Sequence, residues 1–167
     1  MENNVNNWTQ FEQRENKELS GLACNHWELW KQDHDLLEEL GVNSYRFSIE
    51  WSRIEPNEGE WNEAAIEVYS EMIDSLIARG IQPMITLHHF SHPIWFEEKG
   101  GFYNRENIQY FKKYCVKIFP YFNDRVEKWC TVNEPDVFSI MGYHMGMFPP
   151  GKKSPLKAIR VMKNVMI

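Results

Sequence analysis

The feature that most limits the fold is a helical pattern followed by an extended pattern, which occurs three times along the chain. Apolar residues recur at helical spacing in three segments: 25–40, 62–79 and 105–119. Each is followed by a short segment that predicts a strand: 42–49, 82–87 and 126–132. This alternation predicts an α/β fold with a parallel sheet and right-handed crossovers, either doubly wound or closed into a barrel.

Local signals mark the ends of the predicted helices. Asn25 and Glu28 resemble a capping box at the start of the first helix, and Gly41 suits its end. Ser154 and Pro155 predict the N-cap and first turn of a fourth helix, which continues to the end of the sequence.

The connections after the predicted strands favour the barrel. Each is long and rich in aromatic and polar residues, and functional loops at the carboxyl ends of strands are typical of a barrel. No glycine-rich phosphate loop follows a strand, which disfavours a dinucleotide-binding fold. A complete barrel has eight strands and typically ~250 residues. With 167 residues and three clear strands, the sequence predicts a single, incomplete barrel domain over residues 1–167.

Composition excludes several classes of function. The chain is 43% hydrophobic and 25% charged, with no apolar run near the ~20 residues that a membrane-spanning helix requires. A net charge of −6 gives no electrostatic footprint for nucleic acid. The polar N-terminus lacks the layout of a signal peptide, and three widely spaced cysteines indicate neither a disulfide framework nor a zinc knuckle. We therefore expect a cytoplasmic protein without nucleic-acid or membrane partners.

A polar pair follows the third predicted strand. Asn133 and Glu134 lie between the apolar segment 126–132 and Pro135. Because strand ends face the active site of a barrel, this pair is a candidate for chemistry. The alternative is an ordinary strand-end turn, in which Asn and Pro are both common.

Seven short motifs resemble glycoside hydrolase family 1, the group of β-glucosidases, β-galactosidases and 6-phospho-β-glycosidases, and most closely its archaeal and bacterial members. The motifs are NNVNNW at 3–8, SGLACNHW at 20–27, GVNSYRFSIEWSRI at 41–54, TLHHF at 86–90, KGG at 99–101, TVNEP at 131–135 and FPPG at 148–151. They occur in the family's order and spacing over the whole chain. The resemblance implies a TIM (β/α)8 barrel, of which about three βα units are present, and hydrolysis of β-linked glycosides without a metal or cofactor.

The resemblance also implies roles for individual residues. Retaining glycosidases use two carboxyl groups about 5–5.5 Å apart, and Glu134 matches the acid/base. Its pKa must be raised by an apolar pocket or by the second carboxylate. Asn133 is implied to bond the sugar 2-hydroxyl, and His89 another hydroxyl. Phe90 stands where many relatives have Trp, so it keeps an apolar wall but lacks an indole N–H donor.

Arg46 is the second residue with an implied catalytic role. It alternates with Tyr45 and Phe47 along the strand, so in a barrel it would point into the interior, where an unpaired charge is costly. The resemblance implies that Arg46 bonds and orients the nucleophilic carboxylate. The alternative is a buried ion pair with a carboxylate of this chain.

Two parts of the family pattern are expected outside this sequence. The first barrel strand would precede Met1, and the nucleophilic glutamate, on a late strand, would follow Ile167. We therefore expect weak or no activity of the chain alone. A second hypothesis is a non-catalytic sugar-binding chain, or a subunit that completes a barrel with the remainder supplied as a second chain, because open sheet edges favour pairing.

Three histidines after the second strand leave a third hypothesis, a metal-dependent α/β enzyme. A catalytic zinc site needs three converging protein ligands, whereas adjacent strand residues such as His88 and His89 point to opposite faces, so a metal that also uses His92 is disfavoured.

Tryptophans in the predicted loops and helices have two interpretations. Those that follow strands are candidates for the floor of a sugar channel, although packing is favoured for each: Trp51, Trp61 and Trp95. Those on helical stripes, such as Trp27 and Trp30 together with Leu37, are predicted core.

Overall fold

A computed structural model describes residues 4–166, and its centre is a three-stranded parallel sheet. The strands, in the spatial order β1-β2-β3, are β1 (Ser44–Ser48), β2 (Gln82–His88) and β3 (Lys128–Val132). Within residues 4–166, β1 and β3 each pair only with β2, so both edges of the sheet are open there. The predicted number and parallel direction of the strands are confirmed.

Eight α-helices are described around the sheet. They are α1 (Asn7–Arg14), α2 (His26–Glu39), α3 (Trp51–Ile54), α4 (Glu63–Ala78), α5 (Ile94–Glu98), α6 (Ile108–Phe122), α7 (Pro135–Ser139) and α8 (Pro155–Val165). Two 3-10 turns, Gly101–Tyr103 and Arg105–Asn107, precede α6, and a π-helical turn, Ile140–His144, follows α7. No helix within residues 4–166 is long and apolar enough to cross a membrane.

The core lies between the sheet and the helices α4 and α6. The apolar stripe predicted for α4 is buried, and it consists of Ile66, Tyr69, Met72, Ile73 and Leu76. Ile85 of β2 and Ile118 of α6 are completely buried in the same cluster. A helix with one apolar stripe thus covers one face of the parallel sheet, as the pattern predicts.

Two details of the first predicted helix are wrong. Asn25 is the N-cap of α2, but its backbone is left-handed (φ 53°) and its side chain makes no capping hydrogen bond, so the capping box is absent. An N-cap normally has an extended backbone, which brings its side-chain oxygen to the first N–H groups of the helix. Leu36 and Leu40, which the helical spacing of segment 25–40 predicts to lie on its apolar stripe, are 55% and 74% exposed.

The third predicted helix differs in its bounds. It begins as the 3-10 turn Arg105–Asn107 and continues as α6 through Pro120, beyond the predicted end at 119. Pro120 lies in the last turn of α6. The fourth helix begins as predicted, with Ser154 as N-cap and Pro155 in the first turn.

Candidate active site

The candidate site lies where the carboxyl ends of the three strands meet. Parallel pairing brings these ends to one edge of the sheet. The backbone continues this pairing past the strands, because the Asn133 N–H donates to the carbonyl of His88 (2.9 Å) and the Ile49 N–H to that of Thr86 (3.0 Å). His89 and Glu134 follow directly, so both lie at this edge.

Arg46 and Asn133 are joined across the sheet. Arg46 Nη1 donates to Asn133 Oδ1 at 2.9 Å. Asn133 is buried, whereas Arg46 is exposed on the face opposite the buried Phe47. Within residues 4–166 no carboxylate forms an ion pair with Arg46. The alternative of a buried internal ion pair is therefore wrong for the part of the chain described.

Glu134 is held in an unusual backbone conformation. Its φ of 42° is left-handed, a region that residues other than glycine rarely adopt, and it is followed by Pro135 at the start of α7. Such strain is often found at functional sites. The side chain is exposed, so residues 4–166 do not themselves supply the apolar enclosure expected of a protonated acid/base.

His89 faces the polar groups of the neighbouring strand ends. Its Nδ1 and Ser48 Oγ are 3.2 Å apart and share a hydrogen bond. Burial lowers the pKa of His89, as does the positive charge of Arg46, and the charge of Glu134 opposes this only in part. The imidazole is therefore mostly neutral at pH 7, in which state one ring nitrogen donates and the other accepts.

Phe90 forms an aromatic wall beside His89. Its ring is parallel to that of Phe138 at a centroid distance of 6.4 Å and lies 5.6 Å from that of Phe148. Its backbone is also left-handed, with φ 69°. Phe90 and His89 line a cavity of about 660 Å³ that extends along the open edge of β1, whereas Glu134 does not line it.

The three histidines do not act as one group. His88 Nε2 lies 3.3 Å from His92 Nδ1, and His92 Nε2 lies 2.8 Å from Glu97 Oε2, so these three side chains form one hydrogen-bonded chain. His89 is not part of that chain, because its Nδ1 bonds Ser48. Complete burial lowers the pKa of His88 well below its ordinary value. Among residues 4–166, no set of three His, Cys, Asp or Glu side chains is arranged to hold a metal ion.

Two of the tryptophans that follow strands, Trp51 and Trp95, pack into the protein and do not line the cavity. Trp51 is completely buried, stacks on Tyr114 at 5.1 Å and donates to Glu55 Oε2. Trp95 packs edge-on against Trp51 and donates to the carbonyl of Glu55. On the helices, Trp30 is buried as predicted, whereas Trp27 and Leu37 are half-buried.

Several polar contacts around the site were not predicted from the sequence. Ser48 has a signal that could have been used, since it lies two residues after Arg46 and so on the same face of β1. Asn7 and Trp8, which bond the loop carrying His89, have no such local signal. They lie more than 80 positions before that loop.

Comparisons with known proteins show the family of the chain. Residues 3–167 match the model of glycosyl hydrolase family 1. The chain is 39% identical to beta-glucosidase A of Thermotoga maritima over 152 residues, covering 90% of this chain and 34% of the relative. It is 42% identical to the cytosolic beta-glucosidase of Homo sapiens over 132 residues, covering 78% and 28%. The chain thus spans about a third of the length of these curated relatives.

Solved structures share the fold. A beta-glycosidase from Pyrococcus horikoshii superposes with a TM-score of 0.92 at 45% identity, covering 96% of this chain and 38% of that one. A beta-glucosidase from Thermotoga maritima in complex with castanospermine gives 0.93 at 36% identity, covering 98% and 38%. These neighbours are TIM-barrel enzymes, so the parallel sheet and its helices correspond to part of an α/β barrel. The chain belongs to glycosyl hydrolase family 1, a family of glycoside-hydrolysing enzymes.

Proposed function

We propose that this chain carries the acid/base half of the active site of a retaining β-glycosidase of the β-glucosidase type. One observation carries the proposal: the strand ends bring Arg46, His89, Asn133 and Glu134 together. Arg46 bonds Asn133, and the charges of Arg46 and Glu134 both act on the pKa of His89. In this proposal Glu134 protonates the departing glycosidic oxygen and then activates water.

The contact between Arg46 and Asn133 fixes how the amide meets the sugar. Because Arg46 donates to Asn133 Oδ1, the Nδ2 group is the end of the amide that can donate to a substrate oxygen. We assign it to the sugar 2-hydroxyl, where the hydrogen bond strengthens as positive charge develops on the ring. Neutral His89 bonds a further hydroxyl, and Phe90 forms an apolar wall.

The second carboxylate of the reaction is proposed to come from outside residues 4–166. The exposed guanidinium of Arg46 is suited to bind it, because an arginine can form two parallel hydrogen bonds with a carboxylate. A carboxylate placed there also supplies negative charge near Glu134, which favours protonation of the acid. About three of eight βα units are then contributed by this chain, as one incomplete domain that needs the other strands for turnover.

The substrate class is a β-linked glycoside or oligosaccharide, as the names of the relatives suggest. The cytosolic relative supports a cytoplasmic location. A second role, as a sugar-binding subunit that completes a barrel with another chain, is favoured by the open edges of β1 and β3. Two exposed leucines favour it too: Leu36 on α2 is 55% exposed, and Leu40, which follows the end of α2, is 74% exposed.

The proposal is tested in a glycosidase assembled from this chain and the further strands that the proposal requires, with leaving groups of different basicity. Glu134→Gln should lower kcat/KM for methyl β-D-glucoside by about 10²–10⁴-fold, because its leaving group requires a proton. The loss should be much smaller for 2,4-dinitrophenyl β-D-glucoside, whose leaving group departs without one. Equal losses on both substrates would show that Glu134 is not the acid.

The chain alone provides a second test, with 4-nitrophenyl β-D-glucoside as substrate. We expect little or no turnover, since no glycosyl-enzyme forms without the nucleophile. Robust turnover that Glu134→Gln abolishes would contradict the assignment of the nucleophile to another segment.

A further inference from the structure

The loop that follows β2, residues 89–92, is tied to the start of α1 by four hydrogen bonds. The Asn7 N–H donates to the carbonyl of His92 (3.1 Å), and the His92 N–H donates back to Asn7 Oδ1 (2.9 Å). Asn7 Nδ2 and Trp8 Nε1 both donate to the carbonyl of Phe90, at 3.1 and 3.0 Å. Two adjacent residues therefore hold a loop that is more than 80 positions away in sequence.

The carbonyl that receives two donors belongs to a strained residue. Phe90 has φ 69°, a left-handed conformation that a residue with a side chain rarely adopts. Such a conformation persists only where the surroundings impose it. The hydrogen bonds from Asn7 and Trp8 to this carbonyl are suited to hold Phe90 in the left-handed conformation.

The capping of α1 does not account for Asn7. The cap is made by Asn6, whose side chain accepts from the N–H groups of Trp8 and Thr9, while Thr9 Oγ1 accepts from the Asn6 N–H. Asn7 is completely buried, and both ends of its amide are used on the loop. Its side chain thus serves the loop rather than its own helix.

The ring of Trp8 supports the same loop from the side. It lies 4.9 Å from the ring of Phe148, which in turn contacts the ring of Phe90 at 5.6 Å. Trp8 therefore contributes a donor to the Phe90 backbone and, through Phe148, packing to the Phe90 side chain.

We propose that Asn7 and Trp8 are positioning residues for His89, holding the 89–92 loop so that the imidazole stays against Ser48 and close to Arg46 and Glu134. The role of His89 in binding a sugar hydroxyl rests on the proposed function. The link from α1 to the orientation of His89 rests on the hydrogen bonds alone. Asn7 and Trp8 act through the loop and not on the sugar.

The titration of His89 tests this link without any sugar. The ring signals of the six histidines are followed by 1H–13C NMR against pH, with the His89 signal assigned by His89→Gln. Asn7→Ala removes both side-chain bonds, and Trp8→Phe removes one donor but keeps an aromatic ring. In both variants the pKa of His89 should rise toward its ordinary value of 6.5, because a loosened loop leaves the imidazole less buried.

Asn164→Ala is the matched control. Asn164 is also a buried asparagine whose Nδ2 bonds two carbonyls of another segment, those of Phe102 and Tyr103. The Asn164→Ala substitution should lower thermal stability but leave the pKa of His89 unchanged. An equal shift in Asn164→Ala, or an unchanged pKa in folded Asn7→Ala, would overturn the proposal. If Asn7→Ala does not fold, Trp8→Phe decides by the same criterion.

Sugar binding is measured separately, by adding methyl β-D-glucopyranoside to the wild-type chain. A shift of the His89 signal on adding the sugar, with an affinity several-fold weaker in Trp8→Phe than in wild type, supports both proposals. If the sugar leaves the His89 signal unchanged while the variants still change its pKa, the proposed contact of His89 with the sugar fails and the positioning role stands.

Discussion

The two faces of the sheet differ in how completely they are covered. On one face, Phe47 and Ile85 pack under α4, where Ile73 is completely inaccessible to solvent. On the other face, Arg46 and Lys128, which are aligned through Met84, are exposed. The packed face supplies stability and the open face carries the candidate chemistry. Substitutions on the two faces should therefore separate folding from function.

The largest effect is expected within the packed face. Ile73→Ala should lower the free energy of unfolding by about 2–5 kcal/mol, because it leaves a cavity in a closed core. Ile77→Ala, one turn later on the same helix, is the control and should cost much less, since Ile77 is 42% exposed. Urea unfolding followed by circular dichroism measures both. Similar losses in the two variants would contradict the assignment of stability to this face.

A pH effect of comparable size is expected from His34, which is buried and bonds Ser75 of α4. Burial, with the nearby His26 and Arg79, lowers the pKa of His34 from 6.5 to about 4. Between these values the unfolded chain takes up a proton that the native state does not. Stability should therefore be full above pH 6.5 and fall by up to about 3 kcal/mol as the pH approaches 4.

Urea unfolding at pH 7.5 and pH 5 checks this prediction in two variants. His34→Gln should flatten the dependence on pH, whereas His144→Gln, at an exposed position, should leave it unchanged. His88, with its strongly lowered pKa, acts in the same direction and will leave part of the slope. A slope identical in wild type and His34→Gln would refute the assignment.

On the open face, Glu134→Gly should stabilise the chain. Glycine adopts the left-handed backbone of position 134 without the steric cost, which is worth about 1 kcal/mol. Glu134→Gln keeps the strain and should leave stability unchanged. Thermal melts of the two variants test this, and a loss of stability in Glu134→Gly would show that the side chain of Glu134 stabilises the fold.

The smallest effect is expected from two arginines: Arg79, which ends the helix α4 over the packed face, and Arg46 on the open face. Arg79→Met should cost about 0.5 kcal/mol, because Arg79 pairs with Asp35 and Glu38 of α2. Arg46→Met should change stability less, since water can replace its contact with Asn133. Methyl β-D-glucoside binding should show the reverse order. If Arg46→Met proves the more destabilising, the open face also contributes to folding.

Much of the packed face could be predicted from the sequence. The stripe on α4 repeats every three or four residues, and this period alone identifies the buried side of a helix. The prediction failed where the backbone departs from standard geometry. The left-handed Asn25 removes the expected cap, and the short helix α3 (Trp51–Ile54) is too brief to show a period.

For the candidate site, the residues could be predicted from the sequence, but their contacts could not. The sequence identified Asn133 and Glu134 by their place after a strand, and the resemblance singled out Arg46 and His89. The bond between Arg46 and Asn133 joins residues 87 positions apart, and no local pattern records it. The exposure of Glu134 was likewise not predicted.

The sequence by itself determined the alternation of helices and strands, the family and the residues that match its motifs, because these depend on periodicity and on residue type at a given spacing. Only the tertiary structure decided which end of the Asn133 amide can meet a sugar, how Asn7 and Trp8 hold the loop of His89, and which face of the sheet is open. The physical reason is that hydrogen bonds and burial depend on distances between residues far apart in the chain.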